Sequence, residues 1–312
     1  MDKNATFFTF NKFFFLTLFL LSSTLHAQTQ LVGIGTLNDE SIFAINEDGT
    51  NPEKWIDFSF PKAPEYTNLI ESNGKLWGMT RLGGSSNNGV IFNLNTDGTD
   101  FTTVHDFDNT NGGSPFGSLV ESNGKLWGMT SQGGSSNYGI IFNINTDGTG
   151  FTKVFDFDNT KGAIPLGSLV ESNSKLWGMT KYGGSSGFGI IFNLNTDGTG
   201  FTKVQDFDNT NGSHPQGNLI ESNGKLWGMT EQGGDSDNGV IFSVGTDGTG
   251  FSKLWNFTGE IGGRPQYSSL LAINLDENIL GLQSAFENVN LYPNPAQDYF
   301  RLTGLEKKEG SF

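Results

Sequence analysis

A tandem repeat of 50 residues is the feature that most constrains the fold of this 312-residue chain. The string KLWGMT begins at four evenly spaced lysines, which are Lys75, Lys125, Lys175 and Lys225. In the unit around the second copy, strand-like segments are predicted at residues 118–121, 125–130, 139–145 and 151–157. Ser-Asn-Gly and Thr-Asp-Gly-Thr turns join these segments in pairs. Propeller blades are four-stranded antiparallel units with repeats of this length, so the sequence predicts an all-β chain of such blades.

The two ends of the array predict how it closes. Residues 31–36, 41–47 and 53–58 resemble the second, third and fourth strands of a unit that has no first strand. Residues 268–274 resemble a spare first strand, because no KLWGMT follows them. Pairing the N- and C-terminal strands would complete a fifth blade and hide the sheet edges. We therefore predict a closed five-bladed β-propeller over residues 28–274.

The first 27 residues have the three-part layout of a secretory signal peptide. Lys3 and Lys12 precede the apolar run 13–21, and small and polar residues lead to Ala27. The apolar run is too short to span a bilayer comfortably, which favours a cleaved signal over the alternative of a membrane anchor. We expect residues 1–27 to be removed and the mature chain to be exported without a transmembrane helix.

Composition excludes several kinds of function. The formal net charge of −15 repels nucleic-acid phosphates, so no nucleic-acid partner is expected. The chain has no cysteine, which rules out disulfides, thiolate catalysis and cysteine-ligated metals. No motif indicates a cofactor or a bound metal, and we predict neither.

The repeat pattern LWGMTxxGGSxxxGxIFxxxxDGTxF resembles the GloVer repeats of secreted bacterial proteins, over about residues 31–274. The Gly-Gly pair after the second strand and the aromatic residue that opens the fourth strand are also kelch-like. The resemblance implies an extracellular repeat module, and it brings no established catalytic residues with it.

The C-terminal region carries a second resemblance. After a predicted linker at residues 275–287, the string LYPNPAxDxFxL starts at Leu291. It resembles the beginning of the C-terminal sorting domain of the Bacteroidetes type IX secretion system. That resemblance implies a small β-sandwich domain at residues 288–312, truncated here, with the type IX secretion machinery as a partner. It also implies delivery to the medium or the outer-membrane surface of a Gram-negative bacterium.

Motifs for catalysis or calcium binding are weak. Residues 183–187 match the G-x-S-x-G string, but in an all-β repeat they lack the strand-to-helix turn that this nucleophile needs. Residues 106–112 have the wrong register for a calcium loop, so their Asp and Asn side chains are predicted to cap turn amides.

Two side-chain sets recur in every full unit. Solvated strand ends are predicted for the carboxylates, with cation binding as the alternative; these are Glu71, Glu121, Glu171 and Glu221. Packing between blades is predicted for the indoles, with sugar stacking as the alternative; these are Trp77, Trp127, Trp177 and Trp227.

Differences between units indicate the candidate binding surface. In a meander, the loops after the second and fourth strands lie on one face, and there the units diverge. The candidate ligand-binding residues are Arg81, Gln132, Tyr138, Lys181, Tyr182, Phe188, His214, Glu231, Gln232 and Arg264. They suit a glycan or a protein surface, and neutral drift of exposed loops is the alternative. We predict a non-catalytic recognition or structural role, with a glycan-binding or glycan-degrading accessory propeller as the alternative.

Overall fold

A computed structural model describes residues 30–35, 41–58, 67–260, 262–273, 290–293 and 300–303. Every helix or strand assigned within these ranges is a β-strand, which confirms the all-β prediction. The predicted signal peptide and linker lie outside the described residues, as does most of the predicted sorting tail.

The strands form five successive antiparallel sheets, which we number blade 1 to blade 5, and one short hairpin. Blade 1 consists of β1 (Gln30–Gly35), β2 (Ser41–Asn46) and β3 (Glu53–Asp57). Blade 2 consists of β4 (Ile70–Ser72), β5 (Lys75–Thr80), β6 (Val90–Asn95) and β7 (Thr102–Asp106). Blade 3 consists of β8 (Gly113–Pro115), β9 (Val120–Ser122), β10 (Lys125–Gln132), β11 (Ile140–Asn145) and β12 (Thr152–Asp156).

The remaining strands follow the same order. Blade 4 consists of β13 (Val170–Ser172), β14 (Lys175–Thr180), β15 (Ile190–Asn195) and β16 (Thr202–Asp206). Blade 5 consists of β17 (Ile220–Ser222), β18 (Lys225–Met229), β19 (Val240–Gly245) and β20 (Ser252–Asn256). The hairpin pairs β21 (Asn290–Pro293) with β22 (Phe300–Thr303).

The glycine of KLWGMT makes room for a buried ring on the neighbouring strand. In blade 3, Gly128 lies opposite Phe142 in the antiparallel register of β10 and β11. A Cβ at Gly128 would lie 2.5 Å from Phe142 Cζ, closer than real carbon contacts allow. The same glycine–phenylalanine pairing recurs in blades 2, 4 and 5, so a phenylalanine ring packs over the glycine in each of these sheets.

The hydrophobic core lies mainly between neighbouring blades. Trp127 of blade 3 is fully buried in one cluster with Ile190 and Phe192 of blade 4. Its indole N–H donates to the Ser122 carbonyl oxygen at 3.2 Å, so the polar atom of the ring is satisfied. The packing prediction is confirmed for the tryptophans of blades 2, 3 and 4, whereas Trp227 of blade 5 is partly exposed.

A row of hydrogen bonds joins the starts of the first strands of successive blades. The Asn68 N–H donates to Ser118 Oγ at 2.7 Å, and the Ser118 N–H donates to Ser168 Oγ at 2.8 Å. The Ser168 N–H donates to Asn218 Oδ1 at 2.6 Å, and the Asn218 N–H donates to Ser269 Oγ at 3.3 Å. The C-terminal segment therefore begins, after blade 5, at the place where the first strand of a further blade would begin.

Beyond Ser269, the predicted closing strand is not formed. The described residues 268–273 adopt no strand, and no pairing with β1 is found, so blade 1 has three strands. The physical reason is that an extended segment needs a neighbouring strand to satisfy its backbone groups, and none lies beside these residues in the described part of the chain. Leu271 and Ile273 are 64% and 62% exposed, so no neighbouring sheet covers them and no adjacent strand supplies the hydrogen bonds.

Candidate functional site

In blades 2 to 5, the loop after the second strand is hydrogen-bonded to the loop that follows the fourth strand. The His214 N–H donates to the Phe188 carbonyl oxygen at 2.9 Å. The equivalent bonds join Ser114 to Asn88, Ile164 to Tyr138 and Arg264 to Asn238. The two kinds of loop therefore lie side by side, as predicted. We call this surface the loop face; it comprises residues 81–89, 131–139, 181–189 and 231–239, with residues 113–117, 163–167, 213–217 and 263–267.

One backbone conformation presents a different side chain in each blade. The residue before the loop proline has a positive φ in all four loops: 49° at Ser114, 56° at Ile164, 57° at His214 and 51° at Arg264. A β-branched isoleucine adopts this left-handed conformation only where its surroundings enforce it. The scaffold therefore fixes the backbone, and the side chain alone distinguishes one blade from the next.

Glu231 is a buried carboxylate at the junction of blades 4 and 5, with 6% of its surface exposed. Its two oxygens accept hydrogen bonds from Gln216 Nε2 and Gln266 Nε2. Lys181 Nζ lies 3.6 Å from Glu231 Oε2. A buried carboxylate is tolerated only when such donors replace its hydration, and here one ammonium and two carboxamides do so.

Lys181 connects this carboxylate to an aromatic ring. Its Nζ lies 5.3 Å from the centroid of the Tyr182 ring, within the range of a cation–π contact. The Lys181 side chain is 19% exposed, and Tyr182 is 37% exposed. Lys181 and Glu231 occupy equivalent positions in successive repeat units, so their contact joins neighbouring blades.

His214 packs between two rings on the same side of the cluster. Its imidazole makes edge-to-face contacts with Tyr182 and Phe188, at centroid distances of 5.0 and 5.7 Å. Burial lowers the pKa of His214, and the charge of Lys181 lowers the pKa further, against smaller opposing effects of Glu231 and Gln232. The imidazole is therefore neutral at pH 7, and its buried Nδ1 has no hydrogen-bond partner among the described residues.

Two carboxamides complete the cluster, and the sequence comparison did not single them out. Gln216 is 2% exposed, and its Oε1 lacks a partner in the described part of the chain. Gln266 is exposed. Both follow the loop proline, where the two preceding loops have Phe116 and Leu166. That switch from an apolar to an amide side chain is the sequence signal that could have found them.

The structure brings together six of the ten predicted site residues, namely Lys181, Tyr182, Phe188, His214, Glu231 and Gln232. With Gln216 and Gln266 they form what we call the axial cluster. Arg264 is exposed, and its Nη2 lies 3.7 Å from Asp237 Oδ2. Arg81, Gln132 and Tyr138 belong to blades 2 and 3 on the same face.

The weaker motifs have structural roles. Ser185 of the G-x-S-x-G string lies in the loop between strands β14 and β15, where its Oγ donates to Asp206 Oδ2 at 2.9 Å. Asp108 caps its turn, because its Oδ1 accepts from the backbone N–H groups of Thr110 and Asn111 at 2.9 Å. The four repeated glutamates are exposed. Among the described residues, no group of three carboxylate or imidazole side chains is placed to hold a metal ion.

The comparison with protein families identifies the repeat. A family model, the Gloeobacter/Verrucomicrobia repeat, matches residues 24–173 and 122–290. The chain belongs to the Gloeobacter/Verrucomicrobia repeat family. No curated protein matches this family member. No helix in the part of the chain that the structure describes has the length and apolar character needed to cross a membrane.

Several solved structures resemble this repeat protein. A chain of the nidogen/laminin complex has a TM-score of 0.48 and 14% identity, and the match covers 77% of this chain and 80% of that one. TolB from Acinetobacter baumannii has a TM-score of 0.46 and 10% identity, and the match covers 76% of this chain and 55% of the TolB chain. The tricorn protease has a TM-score of 0.43 and 13% identity, and the match covers 74% of this chain and 23% of the protease chain.

Proposed function

We propose that this Gloeobacter/Verrucomicrobia repeat protein is exported and acts as a non-catalytic recognition module, binding its ligand on the loop face at the axial cluster. The observation that carries the proposal is the contrast between the repeated core and this cluster. Glycine, tryptophan and phenylalanine positions barely change between units, whereas the loop face holds a buried carboxylate found in one unit alone. Function on a repeat scaffold is expected where the units differ.

A non-catalytic role fits the partners of Glu231. Hydrolysis of a glycosidic bond normally uses two carboxyl groups in different environments, one of them protonated. The contacts of Glu231 are instead an ammonium group and two carboxamides. These donors hold the carboxylate in place and suit a group that organises a binding surface.

Export and surface display are supported by the two ends of the sequence. The first 27 residues follow the layout of a signal peptide, and the string from Leu291 resembles a type IX sorting signal. The proposed location is the medium or the outer-membrane surface of a Gram-negative bacterium, reached through the type IX machinery. Fusing residues 1–27 to a periplasmic reporter in a Gram-negative host tests the first step, and a reporter retained in the cytoplasm would contradict it.

We also propose that the five blades close into a ring. The support comes from equivalent residues on the fourth strands of blades 4 and 5. Val204 of blade 4 packs against the Gly248 turn of blade 5, and a Cβ at Gly248 would lie 3.8 Å from Val204 Cγ1. Leu254, the equivalent residue in blade 5, is 46% exposed. The corresponding turn of blade 1 contains Gly49, and closure would bring that turn onto Leu254.

The binding proposal is tested with immobilised neutral, acidic and amino polysaccharides and with purified outer-surface proteins as probes. Tyr182→Ala and Lys181→Ala should each weaken binding at least tenfold, or about 1.4 kcal/mol. Thr199→Ala is the matched control, because Thr199 lies in a repeated Asp-Gly-Thr turn where it bonds Asp197. Loss of binding in the Thr199 variant, with normal binding in the other two, would refute the assignment of the face.

A further inference from the structure

The row of hydrogen bonds between the starts of the first strands has one irregular step. Its first three bonds each join residues 50 positions apart, whereas the last bond, from Asn218 to Ser269, spans 51 positions. The last unit of the row therefore contains one residue more than the units before it. Repeat units share a structure because they share a sequence pattern, so an extra residue in one unit marks a local departure from the scaffold.

The extra residue lies between Arg264 and Ser268. The spacing is regular up to Arg264, because this residue has the left-handed conformation of the residues that precede the other loop prolines. Ser268 is already shifted by one position. A Cβ added at Gly217 would overlap the Ser268 carbonyl oxygen, just as a Cβ at Gly167 would overlap the Gly217 carbonyl oxygen. Ser268 therefore stands where a unit of regular length would place residue 267.

Tyr267 has the conformation of an inserted residue. The loops that enter blades 3, 4 and 5 have a single residue between the loop proline and the following glycine, and none of these residues has a positive φ. The last loop has Gln266 and Tyr267 in this stretch, and Tyr267 has a φ of 54°. An aromatic residue adopts this left-handed conformation only where its surroundings hold it there.

The ring of Tyr267 packs against Phe116, with 5.4 Å between the ring centroids and 35° between the planes. Phe116 is buried and Tyr267 is half-buried. Phe116 lies in the loop that enters blade 3, whereas Tyr267 follows blade 5, so the loops that enter blades 4 and 5 separate them along the row. Two members of a row that are not neighbours can touch only if the row curves around an axis. The contact therefore crosses that axis, and we call it the cross-axis contact.

The same loop is also attached to blade 5. The Arg264 N–H donates to the Asn238 carbonyl oxygen at 2.7 Å, and Gln266 Nε2 donates to the Glu231 carboxylate. Residues 262–269, which we call the closing loop, are thus held by blade 5 on one side and by blade 3 on the other.

From these contacts we infer that Tyr267 is an inserted residue that holds the end of the array against blade 3 and so keeps the ring closed at its axis. The inference rests on the proposed ring closure, since it names the contact that maintains it. Two aromatic rings attract each other without any strand pairing. The cross-axis contact therefore acts even though residues 268–273 form no strand with β1.

A double-mutant cycle on the full chain tests the inference. Phe116→Leu introduces the residue of the next loop, Leu166, and Tyr267→Ala keeps a Cβ, so the left-handed backbone stays similarly strained. Urea unfolding followed by tryptophan fluorescence gives the folding equilibrium constant of each variant. The loss in the double variant should be about fivefold smaller than the product of the two single losses, because the singles remove the same contact.

Tyr138→Asn is the matched control for this cycle. Tyr138 is an exposed tyrosine of the same face, and Asn88 and Asn238 occupy its position in other units. Its loss and that of Phe116→Leu should multiply when the two changes are combined, since the two residues share no ring contact among those of the described residues.

Hydrogen exchange followed by mass spectrometry gives a second measurement, which needs only the native state of each single variant. Phe116→Leu should speed amide exchange in the closing loop about tenfold, although that loop is distant in sequence, and should leave residues 213–217 unchanged. A local packing role for Phe116 would not change exchange after blade 5.

Either of two results would overturn the inference: single losses that multiply in the Phe116→Leu/Tyr267→Ala variant, or unchanged exchange in the closing loop of Phe116→Leu. Leu254→Asp, at the outer strand of blade 5, separates this failure from failure of the proposed closure. If the cycle shows no coupling while Leu254→Asp is as destabilising as Val204→Asp, the ring closes without Tyr267. If Leu254→Asp is harmless as well, the ring closure itself is wrong.

Discussion

Replacing Leu254 with aspartate tests whether the ring closes. Leu254 lies on β20 and is 46% exposed, whereas the equivalent Val204 packs against the turn of the next blade at Gly248. In a closed ring, the turn at Gly49 covers Leu254 in the same way. Burying a leucine side chain stabilises a fold by about 1.5–3 kcal/mol, and a carboxylate pressed against apolar surface adds a desolvation penalty.

We therefore expect Leu254→Asp to lower the free energy of unfolding by about 2–4 kcal/mol in a closed ring. In an open array the same change would stay within about 0.5 kcal/mol, as for most surface substitutions. Urea unfolding followed by tryptophan fluorescence measures the difference, and Val204→Asp supplies the value for a covered position. If Leu254→Asp costs less than a quarter of the Val204→Asp loss, the closure argument is refuted.

Two further predictions concern calcium and pH. Calcium at millimolar concentration should leave the melting temperature where a chelator leaves it, because the Asp108 oxygen already caps its turn; a clear upward shift would contradict this. Burial lowers the pKa of His105, so its contribution to stability is complete above the unfolded pKa of about 6.5 and is lost as pH falls below that value. His105→Phe should reduce this acid-side loss and leave the part that comes from His214, whose pKa burial also lowers; an unchanged unfolding profile from pH 7 to 5 would refute it.

The strands of the repeat were predictable because alternation and turns are local signals. The second strand, predicted at 125–130, is observed as Lys125–Gln132, and the third, predicted at 139–145, is Ile140–Asn145. Strand β8 (Gly113–Pro115) was not predicted, because it contains a proline and pairs with β10 at only two positions, so its sequence has no strand-like pattern.

The ring position of the C-terminal segment was only partly predictable. Sequence equivalence predicted that a first strand starts at Ser268, and the Asn218 N–H donates to the hydroxyl of the next residue, Ser269. The strand itself depends on a partner sheet, which no local pattern supplies. Its alternating apolar residues, Leu271 and Ile273, remain exposed where a strand would bury them.

The loop face was predictable as a set of positions, but its contacts were not. Comparison of the units located Lys181 and Glu231, because the residue after the second strand changes from unit to unit. It could not show that residues 50 positions apart meet at 3.6 Å, since that depends on how neighbouring blades pack. Gln216 was not predicted, because only the residue before the loop proline, His214, was compared between the units.

The burial of Glu231 argues against drift as the origin of the axial cluster. Neutral drift applies to exposed loop residues, where most substitutions change stability little. Glu231 is 6% exposed, and desolvating a carboxylate and an ammonium together usually stabilises a fold no more than apolar residues of the same size would. An apolar alternative is present in the chain, because Phe116 and Leu166 occupy the Gln216 position in other loops. A polar cluster in place of an available apolar contact gives no folding advantage, and this is the physical argument for the binding role that we propose for the loop face.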